Sequence, residues 1–463
     1  MSEEVKDVVT TEEPKMCKTS EKLGHAIGVL GHDSAYNLWT SWMTPFMTDI
    51  LMLPALFLAI LTTAARVLDA FTDISMGVIA DRTRSRFGRF RPWVLRAGPL
   101  FCLCMALSFL KLPIGVTGLC VFAGIMYIIT GSIAFTAVDI PFWSLPAAMT
   151  NNTKERSGIV GTTTTASSAI TGLVGIIMPI ALVALGEFEW TSYFTIAVIV
   201  AIFATIMYLT SFKLVKEHVV PDDSQKFSLK LALRNIFHNQ PLLCVQISNV
   251  FCLLAVTLRG YLSYYYCTYN LGDLRLASIM GLITMVGMVL GSVVFIFASK
   301  VIGKKTCMFA IAAVFTVANV TLYFAGWSNL GIIFACAAVS NIAVGAAIVC
   351  VNAMMMDTIE YGEWKTGQRN EAMITSTRCF VTKCVSAIAG AAVFAVIGLS
   401  GMVPQAAVQA PGVLNSFHFM FTLLSAAVMI FAIIPMFFYK LTEKRHAEIM
   451  TELNVRKSEK NDQ

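Results

Sequence analysis

The sequence predicts an all-α polytopic membrane protein of twelve transmembrane helices arranged as two halves of six. Three observations predict it. Of 463 residues, 57% are hydrophobic and only 13% charged, with a mean hydropathy of +0.72, well outside the range of a soluble domain. The apolar residues gather into twelve runs of the length that crosses a bilayer. Lys and Arg collect in alternate links between those runs, as they do on the cytoplasmic side of a membrane.

In chain order the runs fall near 25–48, 52–80, 93–111, 117–148, 157–185, 191–212, 240–268, 276–299, 305–326, 329–356, 372–400 and 414–439. The first is the least regular, holding His32, Asp33 and Asn37, and the seventh holds Arg259. Residues 1–22 are polar and of mixed charge, without the basic-then-apolar order of a cleaved signal, and read as a disordered cytoplasmic tail. One half then occupies 23–213, a polar link 214–239, the other half 240–440 and a second tail 441–463. The link carries Lys216, Lys226, Lys230 and Arg234 and is the one sustained shift in composition.

Basic residues fix the expected orientation. The link after run 2 holds Arg82, Arg84, Arg86, Arg89 and Arg91, and that after run 8 holds Lys300, Lys304 and Lys305. The alternate links, such as Gly186-Glu187-Phe188-Glu189, are short and poor in base. Both termini and every even-numbered link are therefore expected in the cytoplasm, with the protein in the cell membrane. The twelve cysteines mostly stand singly in apolar runs, where thiols behave as small hydrophobes; neither a zinc site nor a required disulfide is expected.

Charge inside the runs needs a reason, because an ionised group in hydrocarbon costs a few kcal/mol or more unless it is met by a partner, water or an ion. Asp69 and Asp73 are i and i+4 on one helical face, with Arg66 three residues before Asp69. Two carboxylates aimed at one spot suggest a small-cation site; a plain Arg–Asp ion pair between helices is the simpler reading. Thr136, Asp139 and Trp143 form a second stripe, i, i+3 and i+7. A carboxylate beside an indole suits a sugar, the acid accepting from hydroxyls while the ring covers the C–H face. Asp33 is a further hydroxyl acceptor. The second half offers cations instead: Arg259, Arg378 and Lys383, the last midway along its run and placed to pair with a carboxylate across a cavity. Gly287 with Gly291, and Gly172 with Gly175, permit close helix contact.

Two six-helix halves joined by a cytoplasmic link is the plan of the major facilitator superfamily, whose substrate site lies between the halves near mid-membrane. Five segments are more specific: Gly31-His32-Asp33, Arg66 to Asp73, Arg84 to Trp93, Asp139 to Leu145, and Asp357 to Lys365. Together they resemble the glycoside–pentoside–hexuronide cation symporters, the melibiose carriers among them. The resemblance implies a major facilitator fold and a secondary transporter that couples sugar uptake to Na⁺ or H⁺. It implies Asp69, Asp73 and Thr136 at the cation, with Thr72 beside the second acid. It also implies Asp33, Asp139 and Trp143 at the sugar, and Lys383 near the acidic cluster. Hard oxygen donors suit Na⁺ or a proton.

Two positions depart from the melibiose pattern. Thr72 stands where an asparagine precedes the second acid, which leaves proton coupling open. Thr162 to Thr165 stand where helix 5 carries a sugar-binding arginine. Arg259 is a candidate to supply that guanidinium, to a uronate or sulfonate group, and a structural partnership with Asp139 or a carbonyl is the alternative. Arg66, Arg84, Arg86 and Arg91 are expected to work with Asp357, Glu360 and Glu363 in closing the inner gate.

The partners expected are therefore a sugar, the coupling cation and the bilayer, with no nucleic acid and no cofactor besides the ion. A membrane enzyme is disfavoured by the lack of HExxH, nucleophile-elbow and phosphate-loop motifs. A lysophospholipid carrier or a sensor without transport remain the rival classes; Asp33, Asp139 and Trp143 argue for a hydroxylated ligand against the first.

Overall fold

The computed structural model describes residues 17–150, 152–219, 239–366, 371–406 and 408–461. Helix α1 is Thr19–Pro45, prolonged by a π-helical turn Phe46–Ile50; α2 is Ala55–Arg82 and α3 Arg91–Ser108. Helix α4 starts at Val116–Tyr127, passes through π-helical Ile128–Phe135 and continues as Thr136–Met149. Then come α5 (Thr153–Leu185), α6 (Trp190–Leu214), α7 (Gln240–Tyr265, with π-helical Tyr266–Asn270), α8 (Arg275–Ile302), α9 (Lys304–Ala325), α10 (Leu330–Thr366) and α11 (Glu371–Ser400). Helix α12 occupies Pro411–Phe438 with a π turn and a short break inside it, and α13 is Glu443–Asn461. The expected link segment 220–238 and residues 1–16 lie outside the described residues.

Among the described residues, ten of the twelve membrane-length helices contain a window apolar enough to cross a bilayer; α1 and α3 do not. Packing explains why α1 is polar. It lies against α5 and α6, and its Glu21, His25, His32 and Asp33 are all buried in protein. A helix shielded from lipid by its neighbours can carry groups that a lipid-facing helix cannot.

The two halves meet along α2 with α11 and α5 with α8. Gly172 and Gly175 serve the second seam: a Cβ on Gly172 would press on Met285, and the Gly175 carbonyl sits 3.2 Å from where a Cβ on Gly281 would stand. Gly287 and Gly291 serve packing within the C-terminal half, where a Cβ on Gly291 would lie 2.8 Å from the Ala346 backbone nitrogen.

The ends of the molecule differ. Away from the arginine-rich link the halves are latched together: Thr48 Oγ1 and Tyr265 OH are 2.8 Å apart, and Gln405 Nε2 donates to the Asp49 carbonyl at 2.6 Å. At the arginine-rich end, Arg89, Arg91, Glu217, Asp357 and Glu360 find partners inside their own half. Arg91 Nη2 donates to the Phe212 carbonyl at 2.6 Å, Arg89 pairs with Asp81, and Glu217 accepts the backbone N–H groups of Arg89, Phe90 and Arg91. Asp357 pairs with Lys304 at 2.6 Å and Glu360 with His446. The expected pairing of Arg91 with Asp357 and Glu360 is thus not the arrangement here, since each has found a nearer partner; Arg84 and Arg86 are exposed and Glu363 is half-buried. The segment read as a second tail contains helix α13, which packs on α10, with Ile449 and Leu453 buried and Glu452 accepting from Trp364 Nε1 at 2.6 Å.

Candidate functional site

Helix α2 aims Asp69 and Asp73 at the interior, one turn apart. Asp69 Oδ2 accepts from Arg66 Nη1 at 3.1 Å, and Asp69 Oδ1 is buried with no hydrogen bond to any described residue. Asp73 Oδ1 accepts from Thr136 Oγ1 of α4 at 3.3 Å, and Asp73 Oδ2 pairs with Lys383 Nζ of α11. The acidic pair, the α4 hydroxyl and the α11 ammonium thus converge across the α2–α11 seam. Thr72 does not join them: its hydroxyl donates to the Leu68 and Asp69 carbonyls of its own helix, both at 3.2 Å.

A small cavity opens beside these groups, lined by Tyr36, Arg66, Asp69, Thr136 and Lys383 among others. A second is lined by Trp39, Arg66, Tyr127, Tyr261 and Ser386. Arg66 borders both. The sequence marked it for a gate, but the guanidinium stands at the central chamber.

The second cluster is held by α1, α4, α5 and α6. Asp33 Oδ2 accepts from Ser167 Oγ, and Asn37 Nδ2 donates to the Asp33 carbonyl at 2.7 Å and to Thr171 Oγ1 at 3.0 Å. His32 is 1% exposed and spans the site: its Nε2 lies 3.1 Å from Asp139 Oδ1 and 4.0 Å from Asp33 Oδ1, and its Nδ1 lies 2.9 Å from Tyr208 OH. The imidazole stacks on Phe142 at 4.9 Å and meets Trp143 edge-on at 6.4 Å. Trp143 itself is 40% exposed. An acid with one oxygen occupied and a partly exposed indole beside it make a surface that can receive a polyhydroxylated ring.

One helix connects the two clusters. Thr136 touches Asp73, and one turn later Asp139 touches His32, so displacement of α4 at one cluster is felt at the other. The π-helical stretch just before Thr136 sets the rotation of that stripe; such insertions recur at functional sites. Arg259 belongs to neither cluster. Its guanidinium is 4.7 Å from the Phe421 ring centroid and 5.5 Å from that of Phe315, inside the C-terminal half. Neither a donated guanidinium at Asp139 nor a pairing with it is what the structure holds. Sequence reading also missed His32 and Ser167 as partners of the acids; His32 stood in a quoted motif with no role assigned.

The profile of the MFS/sugar transport protein family matches residues 24–443. The chain belongs to that family, the glycoside–pentoside–hexuronide branch of the major facilitator superfamily. It is 28% identical over 440 residues to a glucuronide carrier protein homolog of Escherichia coli, covering 94% of this chain and 95% of that one. It is 29% identical over 450 residues to a candidate sulfoquinovose importer of the same organism, covering 95% and 94%. The crystal structure of the nucleoside transporter NupG superposes with a TM-score of 0.60 at 14% identity, covering 91% of this chain and all of that one, which establishes the fold. This protein is a multi-pass membrane symporter of sugars or sugar derivatives, not an enzyme. That assignment sets aside the sensor and lysophospholipid-carrier readings.

Proposed function

We propose that this symporter moves an acidic sugar derivative, a hexuronide or a sulfo-sugar, together with Na⁺ or H⁺, by alternating access in the cell membrane with both termini cytoplasmic. The carrying observation is the convergence of Asp73, Thr136 and Lys383 across the two halves, with Asp139 one turn farther along the same helix. A cation at Asp69 and Asp73 competes with Arg66 and Lys383 for the two carboxylates. It also acts through α4 on the pocket at Asp33, Asp139 and Trp143. Binding of either ligand then favours the other by the same factor. Arg66, bordering both cavities, supplies the positive charge that an acidic substrate needs, in place of Arg259. The names of the two relatives support the acidic class.

A neutral glycoside is the second reading, favoured by two carboxylates, Asp33 and Asp139, at the hydroxyl-binding surface. The inner gate in the opposite state would use Arg84, Arg86 and Arg91 with Asp357, Glu360 and Glu363 after their present partners let go. Proteoliposome uptake of labelled glucuronides, sulfo-sugars and galactosides, under separate Na⁺ and H⁺ gradients, tests the proposal. Gradient-driven accumulation of an acidic sugar supports it; accumulation of neutral glycosides alone favours the second reading, and none at all counts against both.

A further inference from the structure

At the arginine-rich end of the N-terminal half, a thiol, an imidazole and two carboxylates from distant parts of the chain meet. Cys17 precedes α1, Glu21 lies in its first turn, Glu155 opens α5, and His218 follows α6. One ligand atom each from Cys17, Glu21 and His218 lies within 4.8 Å of the others, the only such group of His, Cys and acid side chains among the described residues. Cys17, Glu21 and Glu155 are all buried. His218 Nε2 is 3.0 Å from Glu21 Oε2, and the Cys17 thiol donates to the Met149 carbonyl at 3.2 Å. Glu155 is already engaged, by Lys22 at 2.9 Å and by the Thr150 hydroxyl at 2.7 Å. The His218 backbone is pinned too, its N–H and that of Val219 both donating to the Ala148 carbonyl.

Two buried carboxylates, Glu21 and Glu155, lie beside Lys22, and Arg91 stands within the field of Glu21 as well as of Glu217. Burial, with Glu155 and Glu21 alongside, pushes the Cys17 thiol up to about 11, so it is protonated and adds no charge at neutral pH. A divalent ion would take the Cys17 sulfur as thiolate together with the Glu21 carboxylate and the His218 imidazole.

We propose that Cys17, Glu21 and His218 form a binding site for a divalent cation of borderline softness, Zn²⁺ by its mixed sulfur, nitrogen and oxygen donors. Bonds of about 2.0–2.3 Å draw such ligands closer together than they stand here, by roughly 1 Å. His218, with about a third of its side chain exposed (31%), is the ligand placed to move. The bound ion clips the start of α1 to the chain leaving α6 toward the inter-half link, and so restrains the end of this half that must shift when the halves rock. Zn²⁺ then slows transport without competing for sugar. Binding displaces the Cys17 thiol proton, so affinity rises with pH.

The test uses the full chain, stripped with chelator in detergent and titrated with Co²⁺ as spectroscopic probe. One Co²⁺ per chain with a thiolate charge-transfer band, displaced by Zn²⁺, is expected. Cys17→Ser loses the band and His218→Gln weakens Co²⁺ about tenfold or more. Both variants retain metal-free uptake, and Zn²⁺ slows uptake by the wild type but not by Cys17→Ser. A wild type without a thiolate band, or an equal band in Cys17→Ser, overturns the proposal. Should the variants fail to insert, zinc-edge absorption on the wild type decides: one sulfur in the coordination shell upholds the site, and none overturns it. Metal binding is read without sugar, so its failure leaves the transport reading untouched, and failed uptake leaves the metal site untouched.

Discussion

Removing Lys383 is expected to tighten cation binding, not to weaken it. The ammonium sits on Asp73 Oδ2 across the α2–α11 seam, with the two side chains 36% and 22% exposed. Unit charges about 4 Å apart attract by about 4 kcal/mol at an effective dielectric constant near 20. Partial exposure screens roughly half of that, leaving about 2 kcal/mol. A cation arriving at Asp73 must displace the ammonium or share its oxygen, so this attraction opposes binding. Lys383→Gln keeps the reach and the polar tip while deleting the charge. Affinity for the coupling ion should rise about 30-fold, since each 1.4 kcal/mol is about tenfold. Gradient-driven accumulation should fall, because an ion held this tightly no longer leaves readily. Calorimetric titration of purified variant with Na⁺ or Li⁺, without sugar, reads the affinity; for proton coupling the same gain appears as an upward move in the pH midpoint of sugar binding. Unchanged or weaker cation affinity in a folded, monodisperse variant would refute the competition between lysine and ion.

Three further outcomes follow from particular contacts. Ser167→Ala removes the hydroxyl on Asp33 and should weaken substrate binding by about 1 kcal/mol, roughly fivefold, with Ser167→Thr close to wild type; an unchanged Kd takes Ser167 out of the site. Asp49 is fully buried at the latched end, close to the Tyr264, Tyr269 and Thr48 hydroxyls but with neither carboxyl oxygen in good hydrogen-bond geometry, so Asp49→Asn should stabilise this closed end, raising the thermal midpoint and slowing exchange. A lower midpoint speaks against it. Gly291→Ala drives a methyl into the α10 backbone and should cost about 1–3 kcal/mol, whereas Gly161→Ala, which meets nothing within 4 Å, should be neutral. Thermal unfolding followed by size exclusion compares the two.

The architecture was legible because hydrocarbon imposes a length and composition on every helix that faces it. The rule faded where it should, at α1, whose Glu21, His25, His32 and Asp33 face protein. Within the site, residues on one helix were readable from spacing: Asp69 with Asp73, and Thr136 with Asp139. Even there the stripe splits its duties, Thr136 serving Asp73 and Asp139 serving His32. Contacts between helices were not readable, since nothing in local spacing ties Ser167 to Asp33, or Cys17 to His218 some two hundred residues away. Arg259 misled because a buried arginine suggests a carboxylate, and here aromatic faces at Phe315 and Phe421 receive it instead. The π turns left no trace in the apolar pattern, yet one of them orients the α4 stripe.

The most direct test of ion–sugar coupling is the factor by which saturating cation tightens sugar binding, measured in the wild type and in Asp73→Asn. The wild type should give one factor whichever ligand is titrated. Asp73→Asn should keep sugar binding, lose the enhancement and fail to accumulate sugar against a gradient. Full enhancement with full accumulation in that variant would contradict the placement of the coupling ion at the α2 acids.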